Sequence, residues 1–307
     1  MSEIREIANG LRFPEGPIAM PDGSILLVEI ARRTLTRVQP DGSKDIVAQT
    51  GGGPNGAAIG PDGKCYICNN GGFEFAHAGA GLQPIREAHD YSGGRIERVD
   101  LESGEIEVLY RGTADHRLNG PNDIVFDDLG GFYFTDLGKV RSREMDRGVL
   151  YYAKADGSMI KEVAFPLITP NGIGLSADNK TLYAAETEAA RLWSWPILAP
   201  GELGKEPWPI PHGGKLVKGV GGYQRFDSLA LDSGGNICVA TLINGGITVI
   251  SPDGRDVEHV AMPDLWTTNI CFGGKDLKTA YITLSNAGRL VAIDWPRPGL
   301  GLNYLNT

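Results

Sequence analysis

Glu15, Asn55, Asn122, Asn171, Asp227 and Asn269 each stand just ahead of a short apolar run, at successive spacings of 40, 67, 49, 56 and 42 residues. Together they offer one Glu, one Asp and four Asn, a formal charge of −2 and a set of carboxylate and carbonyl oxygens. That donor set is what hard divalent cations prefer. Asn and Asp also shape turns at strand ends, which accounts for any one of these positions taken alone. It accounts poorly for Glu15, a weak turn former set between Pro14 and Gly16.

For six residues so far apart to act as one site, the chain must bring them to one place, and its repeats provide the means. The pattern of polar residue, apolar run, turn and apolar run occurs as FPEGPIAMPDGSILLVEI, GPNGAAIGPDGKCYICNN, GPNDIVFDDLGGFYFTDL, TPNGIGLSADNKTLYAAET, RFDSLALDSGGNICVATL and TTNICFGGKDLKTAYITL. Most copies continue into a third strand-like run, such as TLTRVQPDG, RIERVDLESG or VLYYAKADG, and often a fourth, such as KDIVAQ or EIEVLY. Glycine, at 43 of 307 residues, is about double its usual ~7% share, as many tight turns require. Six four-stranded units arranged radially make an all-β, six-bladed β-propeller, which hides its sheet edges by repetition. The sixth copy ends after three strands, and the segment EIREIA ahead of the first copy is left over to close that last blade. The expectation is a single propeller domain over residues 1–307. Its first strands line a central channel, so the six polar residues meet at one end of the axis.

The net charge of −9 argues against nucleic acid or an anionic membrane as partner. MSEIREIANGLRF has no apolar core of a secretory signal and no window approaches 18 apolar residues, so a cytoplasmic protein without membrane spans is expected. Cys65, Cys68, Cys238 and Cys271 are too few for a disulfide scaffold. Cys65 and Cys68 lie three apart in an alternating strand, hence on opposite faces, and read as buried thiols.

F-P-E-G-P at 13–17, R-L-N-G-P-N-D at 117–123, F-T-D at 134–136, T-P-N-G at 169–172 and F-D-S-L from 226, in this order over nearly the whole chain, resemble the senescence-marker-protein/gluconolactonase family of six-bladed propellers. The resemblance implies one catalytic divalent metal held by Glu15, Asn171 and Asp227 with Asn122 beside it, and substrate binding by Arg117 and Asn119, with Asn122 again close. It implies a small-molecule lactone as substrate. Many members carry Asp where Glu29 ends the second strand, and Pro after the Asp equivalent to Asp136, where this chain has Leu137. These departures are expected near the mouth, where they would bear on substrate choice.

A ring of this kind suits opening a lactone: the metal polarises the carbonyl, water attacks, and Asp227 is the candidate general base or nucleophile. Ca²⁺ is the first choice for an all-oxygen site, with Zn²⁺, Mg²⁺, Mn²⁺ or Fe²⁺ as alternatives. The same ring could serve a phosphotriester or aryl ester, or hold calcium in a propeller scaffold without chemistry. None of the five histidines occupies a ring position; His116 beside Arg117 could reach the cleft as a proton shuttle. The insertion at 72–94 explains the long spacing of 67 and reads as a lid, and the Pro- and Gly-rich stretch at 198–214 as an excursion between outer strands.

Overall fold

The computed structural model describes residues 3–79 and 81–306, and its regular structure is entirely strand. After β1 (Arg5–Ala8), the first blade contains β2 (Pro14–Ala19), β3 (Ile25–Glu29), β4 (Thr34–Val38) and β5 (Lys44–Gln49). The second follows with β6 (Pro54–Ile59) and β7 (Cys65–Asn69), then an inserted hairpin of β8 (Phe73–Ala78) and β9 (Gly81–Glu87), then β10 (Arg95–Val99) and β11 (Ile106–Tyr110). The third holds β12 (Pro121–Phe126), β13 (Gly131–Asp136), β14 (Gly148–Lys154) and β15 (Ile160–Leu167). Next come β16 (Pro170–Leu175), β17 (Thr181–Glu186), β18 (Arg191–Ala199), the short β19 (Glu202–Leu203) and β20 (Lys215–Gly219). The fifth blade is β21 (Arg225–Leu231), β22 (Ile237–Leu242), β23 (Gly246–Ile250) and β24 (Val257–Ala261), and the sixth begins with β25 (Thr267–Gly273), β26 (Thr279–Leu284) and β27 (Arg289–Asp294).

Hydrogen bonding gives six antiparallel meanders, with β19 and β20 both paired to β18 in the fourth blade. The sixth blade is completed from the other end of the chain, β1 pairing β27 through Arg5↔Ala292 and Glu6↔Val291. The ring closes as the leftover EIREIA segment required. Turns follow the sequence: at PDG, Asp22 Oδ1 accepts from the Ser24 N–H at 2.9 Å and Gly23 takes the left-handed φ of 85°.

Apolar residues from facing blades interlock. Tyr133, Tyr152, Trp193 and Trp195 fill the space between blades three and four, while Cys65 and Cys68 fall in different clusters on opposite sides of their sheet. All four cysteines are free and buried, as expected. The 198–214 stretch is an outer-strand excursion whose His212 is buried against Trp193 and Trp195. Past the sixth blade the chain turns back over the far end of the channel, where the Leu300 N–H donates to Leu231 O and Asn303 Nδ2 to Phe126 O. Behind it lies a mainly apolar cavity of about 230 Å³, lined by inner strands and reaching Asp123 and Asn269.

Removing residues 1–9 strips β1 from the last blade and bares the edge of β27. The truncated chain is expected to melt lower by about 5 °C or more and to form aggregates, by calorimetry and size-exclusion chromatography.

Candidate functional site

All six inner strands carry an extra residue at the same place. Register slips between Glu15 and Ile18, Pro54 and Ala57, Pro121 and Ile124, Pro170 and Ile173, Phe226 and Leu229, and Thr267 and Asn269. Such bulges re-aim side chains and break the strict alternation of a strand. Glu15, Asn55, Asn122, Asn171 and Asp227 sit in them, all buried. The residue that follows is often glycine because the next blade is so close. A Cβ on Gly56 would meet Asn122 O and Asp123 Cα, and one on Gly172 would lie 2.7 Å from Asp227 O.

The sixth blade is offset from the sequence alignment. Thr267↔Leu284 matches Pro121↔Asp136, so Thr268, and not Asn269, is the counterpart of Asn122. Asn269 corresponds to Asp123, and each accepts the next backbone N–H on its own side chain, at 2.8 Å from Ile270 and 2.9 Å from Ile124. Asp123 is the ring member that a reading of alternating strands passes over. Its Oδ2 also takes the Ile173 N–H from the neighbouring blade at 3.4 Å.

Three carboxylates are therefore buried around one axis. Glu15 Oε2 accepts from the Gly16 N–H at 2.9 Å and from Asn269 Nδ2 at 2.8 Å. Burial raises its pKa despite these donors. Burial followed by the charge of Glu15 raises Asp227 well above the usual carboxylate range, and burial brings Asp123 to about 7, with Glu15 adding to it. Asn171 is oriented by its neighbours, Nδ2 donating to Thr187 Oγ1 at 3.1 Å and Oδ1 accepting from Ser228 Oγ at 3.4 Å. Asn122 Oδ1 is buried and has no hydrogen-bond partner among the described residues. Among them, too, no cluster of three or more His, Cys, Asp or Glu is placed to hold a metal unaided, so amide oxygens would have to complete any cation site.

The acids closing the second strands stand beside the inner-strand starts, at the mouth end as expected, and serve the scaffold. Glu29 Oε2 accepts the Arg12 N–H at 2.7 Å, Asp136 accepts the N–H groups of Asn119, Gly120 and Gly138 at 2.6–2.9 Å, and Glu186 Oε1 accepts the Ile168 N–H at 2.6 Å. Each ties down the loop leading into its own inner strand, and all three are buried.

Arg117 and Asn119 lie in the exposed loop before β12; Asn119 Nδ2 donates to Asp146 Oδ2 at 3.1 Å. His116 is exposed in the same loop, its N–H turned to Thr113 Oγ1. A second arginine, absent from the motif reading, stands two residues before Asp227: Arg225 pairs with Glu188 at 3.0 Å and leaves a buried Nε without a partner among the described residues. The 72–94 insertion forms the β8–β9 hairpin. Lys139 anchors it, buried with Nζ 4.3 Å from the Phe73 ring centre, 4.9 Å from that of Tyr91 and 3.3 Å from Gly72 O.

A six-bladed propeller that gathers buried acids and amides at one end of its axis defines the structural class. Within it the chain belongs to the SMP-30/gluconolactonase/LRE-like family, whose model matches residues 13–286. It is 29% identical over 243 residues to lactonase drp35 of Staphylococcus saprophyticus, covering 78% of this chain and 67% of the relative. It is 25% identical over 316 residues to the gluconolactonase of Zymomonas mobilis, covering 92% and 79%. Among solved structures, the calcium-binding protein regucalcin of Agrobacterium tumefaciens superposes with a TM-score of 0.76 at 20% identity, over 100% of this chain and 98% of that one, a likeness of fold.

The burial of the ring's acids, to which their like charges add, should be visible in stability. An unfolded Asp releases its proton near 3.8 and folded Asp123 holds it to about 7. Its contribution is thus fully present below about pH 4 and lost as pH rises through 7, on the order of 4 kcal/mol. In chelator-treated protein, Asp123→Asn is expected to flatten the fall of Tm between pH 5 and 8 and to melt above wild type at pH 8.

Proposed function

We propose that this protein is a hydrolase that opens lactone rings with the help of one divalent cation on the propeller axis, held by Glu15, Asn122, Asn171 and Asp227. The observation that carries this reading is the buried Asn122 Oδ1 without a partner, beside carboxylates that act on one another with no cation among their strongest influences. Buried acceptors left like this are costly unless a positive group joins them. The donors are all oxygen, which suits Ca²⁺ first and leaves Zn²⁺, Mg²⁺, Mn²⁺ and Fe²⁺ as alternatives. The lactonase and gluconolactonase names of the relatives supply the substrate class.

Bound there, the cation would contribute Lewis-acid polarisation of the ester carbonyl. The chain's own groups do the rest. Asp227, one of the groups that would hold the cation, takes a proton from the attacking water. The hydroxyl oxygen adds to the carbonyl carbon, the ring C–O bond breaks, and the proton passes to the departing alkoxide to give the hydroxy acid. Asn171, fixed by Thr187 and Ser228, keeps its amide oxygen in place, and Arg117, Asn119 and Arg225 supply donors for the substrate's oxygens at the mouth.

Metal analysis followed by pH-stat assay of stripped and reloaded protein, on aldonolactones, alkyl lactones, an aryl ester and a phosphotriester, tests the reading. Turnover of the phosphotriester alone would replace it. Glu15→Gln is expected to lower metal content while the far-UV spectrum keeps its β form; full metal retention would remove the cation from the ring. Asp227→Asn at saturating metal is expected to lose about 10²-fold or more in kcat. Activity within a few-fold of wild type would take the base role from Asp227.

A further inference from the structure

The mouth above the ring is closed on one side and open on the other. The β8–β9 hairpin leaves the second blade at the strand-entrance end of the axis and is fastened to both neighbouring sectors. Toward the sixth blade, the Leu82 N–H donates to Asn286 O at 3.1 Å and Asn286 Nδ2 returns a bond to Leu82 O at 3.0 Å. Over the first blade, the Phe75 ring lies 5.2 Å from Phe13, which in turn lies 5.9 Å from Trp266. Toward the third, Lys139 seats against Phe73 and Tyr91, and the Tyr91 hydroxyl donates to Asn119 O at 2.7 Å. The first, second and third blades are roofed, and the hairpin's hydrogen bonds reach the sixth at Asn286, in the loop between β26 and β27. Among the described residues no hydrogen bond, ion pair or ring contact of the hairpin reaches blades four or five.

On the unroofed side the loops leading to the inner strands change character. In the loops before β16, β21 and β25, Ile168, Tyr223 and Leu265 stand 40%, 73% and 61% exposed. The Leu265 carbonyl accepts the Ile243 N–H of the fifth blade at 2.8 Å. In the roofed sector the loops before β2, β6 and β12 carry Arg12, Gly52 and Asn119 instead. Single exposed hydrophobes are ordinary, but three in the successive loops that lead into the fourth, fifth and sixth blades form a surface that water does not favour.

We infer that the substrates are lactones carrying an apolar chain, the ring placed at the axis and the chain lying outward over Ile168, Tyr223 and Leu265. This rests on the lactonase reading above and adds the substituent that the open side selects. The hairpin, held on both flanks, directs the chain toward blades four and five. Arg225, paired with Glu188 and 5.8 Å from the Tyr223 ring centre, marks the polar inner limit of that surface.

The test is kcat/KM of the metal-loaded full chain on γ-lactones whose 4-alkyl substituent grows from none to six carbons, with glucono-lactone alongside. A methylene fully withdrawn from water is worth about four-fold, so partial cover predicts about two-fold per methylene, expressed mainly in KM. Tyr223→Ser combined with Leu265→Ser should flatten that dependence, whereas Trp208→Ser, at a side chain 84% exposed in the 198–214 excursion, should leave it as steep. Hydrolysis that is indifferent to chain length, or that favours glucono-lactone over every alkyl lactone, overturns the inference and leaves the lactonase reading standing. A chain-length dependence untouched by the Tyr223 and Leu265 changes overturns this surface as its cause. Failure to open any lactone defeats the lactonase reading and the inference with it.

Discussion

Six inner strands approach one another so closely at the axis that several have no room for a side chain where they touch. A Cβ on Gly16 would collide with the backbone of Asn55, and those on Gly56 and Gly172 would do the same against the third and fifth blades. Close approach is possible because each strand bulges there, and the bulge turns neighbouring side chains inward together. The ring residues are thereby fixed by backbone contact between blades, with little freedom to draw apart. Glu15, Asp123 and Asp227 must share that small buried volume; beyond burial, the charge of Glu15 raises the pKa of both aspartates and that of Asp123 adds to Asp227.

The remainder of the fold keeps that arrangement from relaxing. Interlocked apolar side chains between blades bear the cost of assembly, and β1 joins the two ends of the chain so that the ring cannot open at its last blade. A second tier of polar residues works one step outward. Glu29, Asp136 and Glu186 hold the loops that deliver the inner strands, while Thr187 and Ser285 reach back to Asn171 and to Pro14 O. Acidic residues near the axis thus divide into those that answer several loop N–H groups and those that also press on one another. Asp136, with three N–H donors, belongs to the first kind, and Asp227, beside the charges of Glu15 and Asp123, to the second.

Fold and ring were largely legible in the sequence because both rest on repetition. The PDG turns, the apolar runs and the unpaired EIREIA segment specify blade number and closure, and five ring positions follow from their place ahead of the run. Asp123 was not legible, since a strand read with period two sends it to the face opposite Asn122 and nothing in N-D announces a bulge. For the same reason Asn269 was matched to Glu15, although register gives that place to Thr268. Glu29 and Asp136 are legible as residues of the mouth end, but only the hydrogen bonds reveal that they answer loop amides. Arg225 and Lys139 belong to no repeat, and their surroundings come from loops distant in sequence.

Lys139 shows how an insertion becomes part of the site. Burial pushes its amine down to about 8, and Glu87, Asp136, Arg141 and Asp146 supply the nearby charges. A buried ammonium is costly, and here the faces of Phe73 and Tyr91 offset part of that cost. Tyr91 also donates to the carbonyl of Asn119, whose own N–H goes to Asp136. Hairpin, lysine, second-strand acid and the loop before the third inner strand are therefore one connected network, and moving any member would shift the others. A hairpin fastened in this way behaves as a wall of the mouth more than as a flap above it.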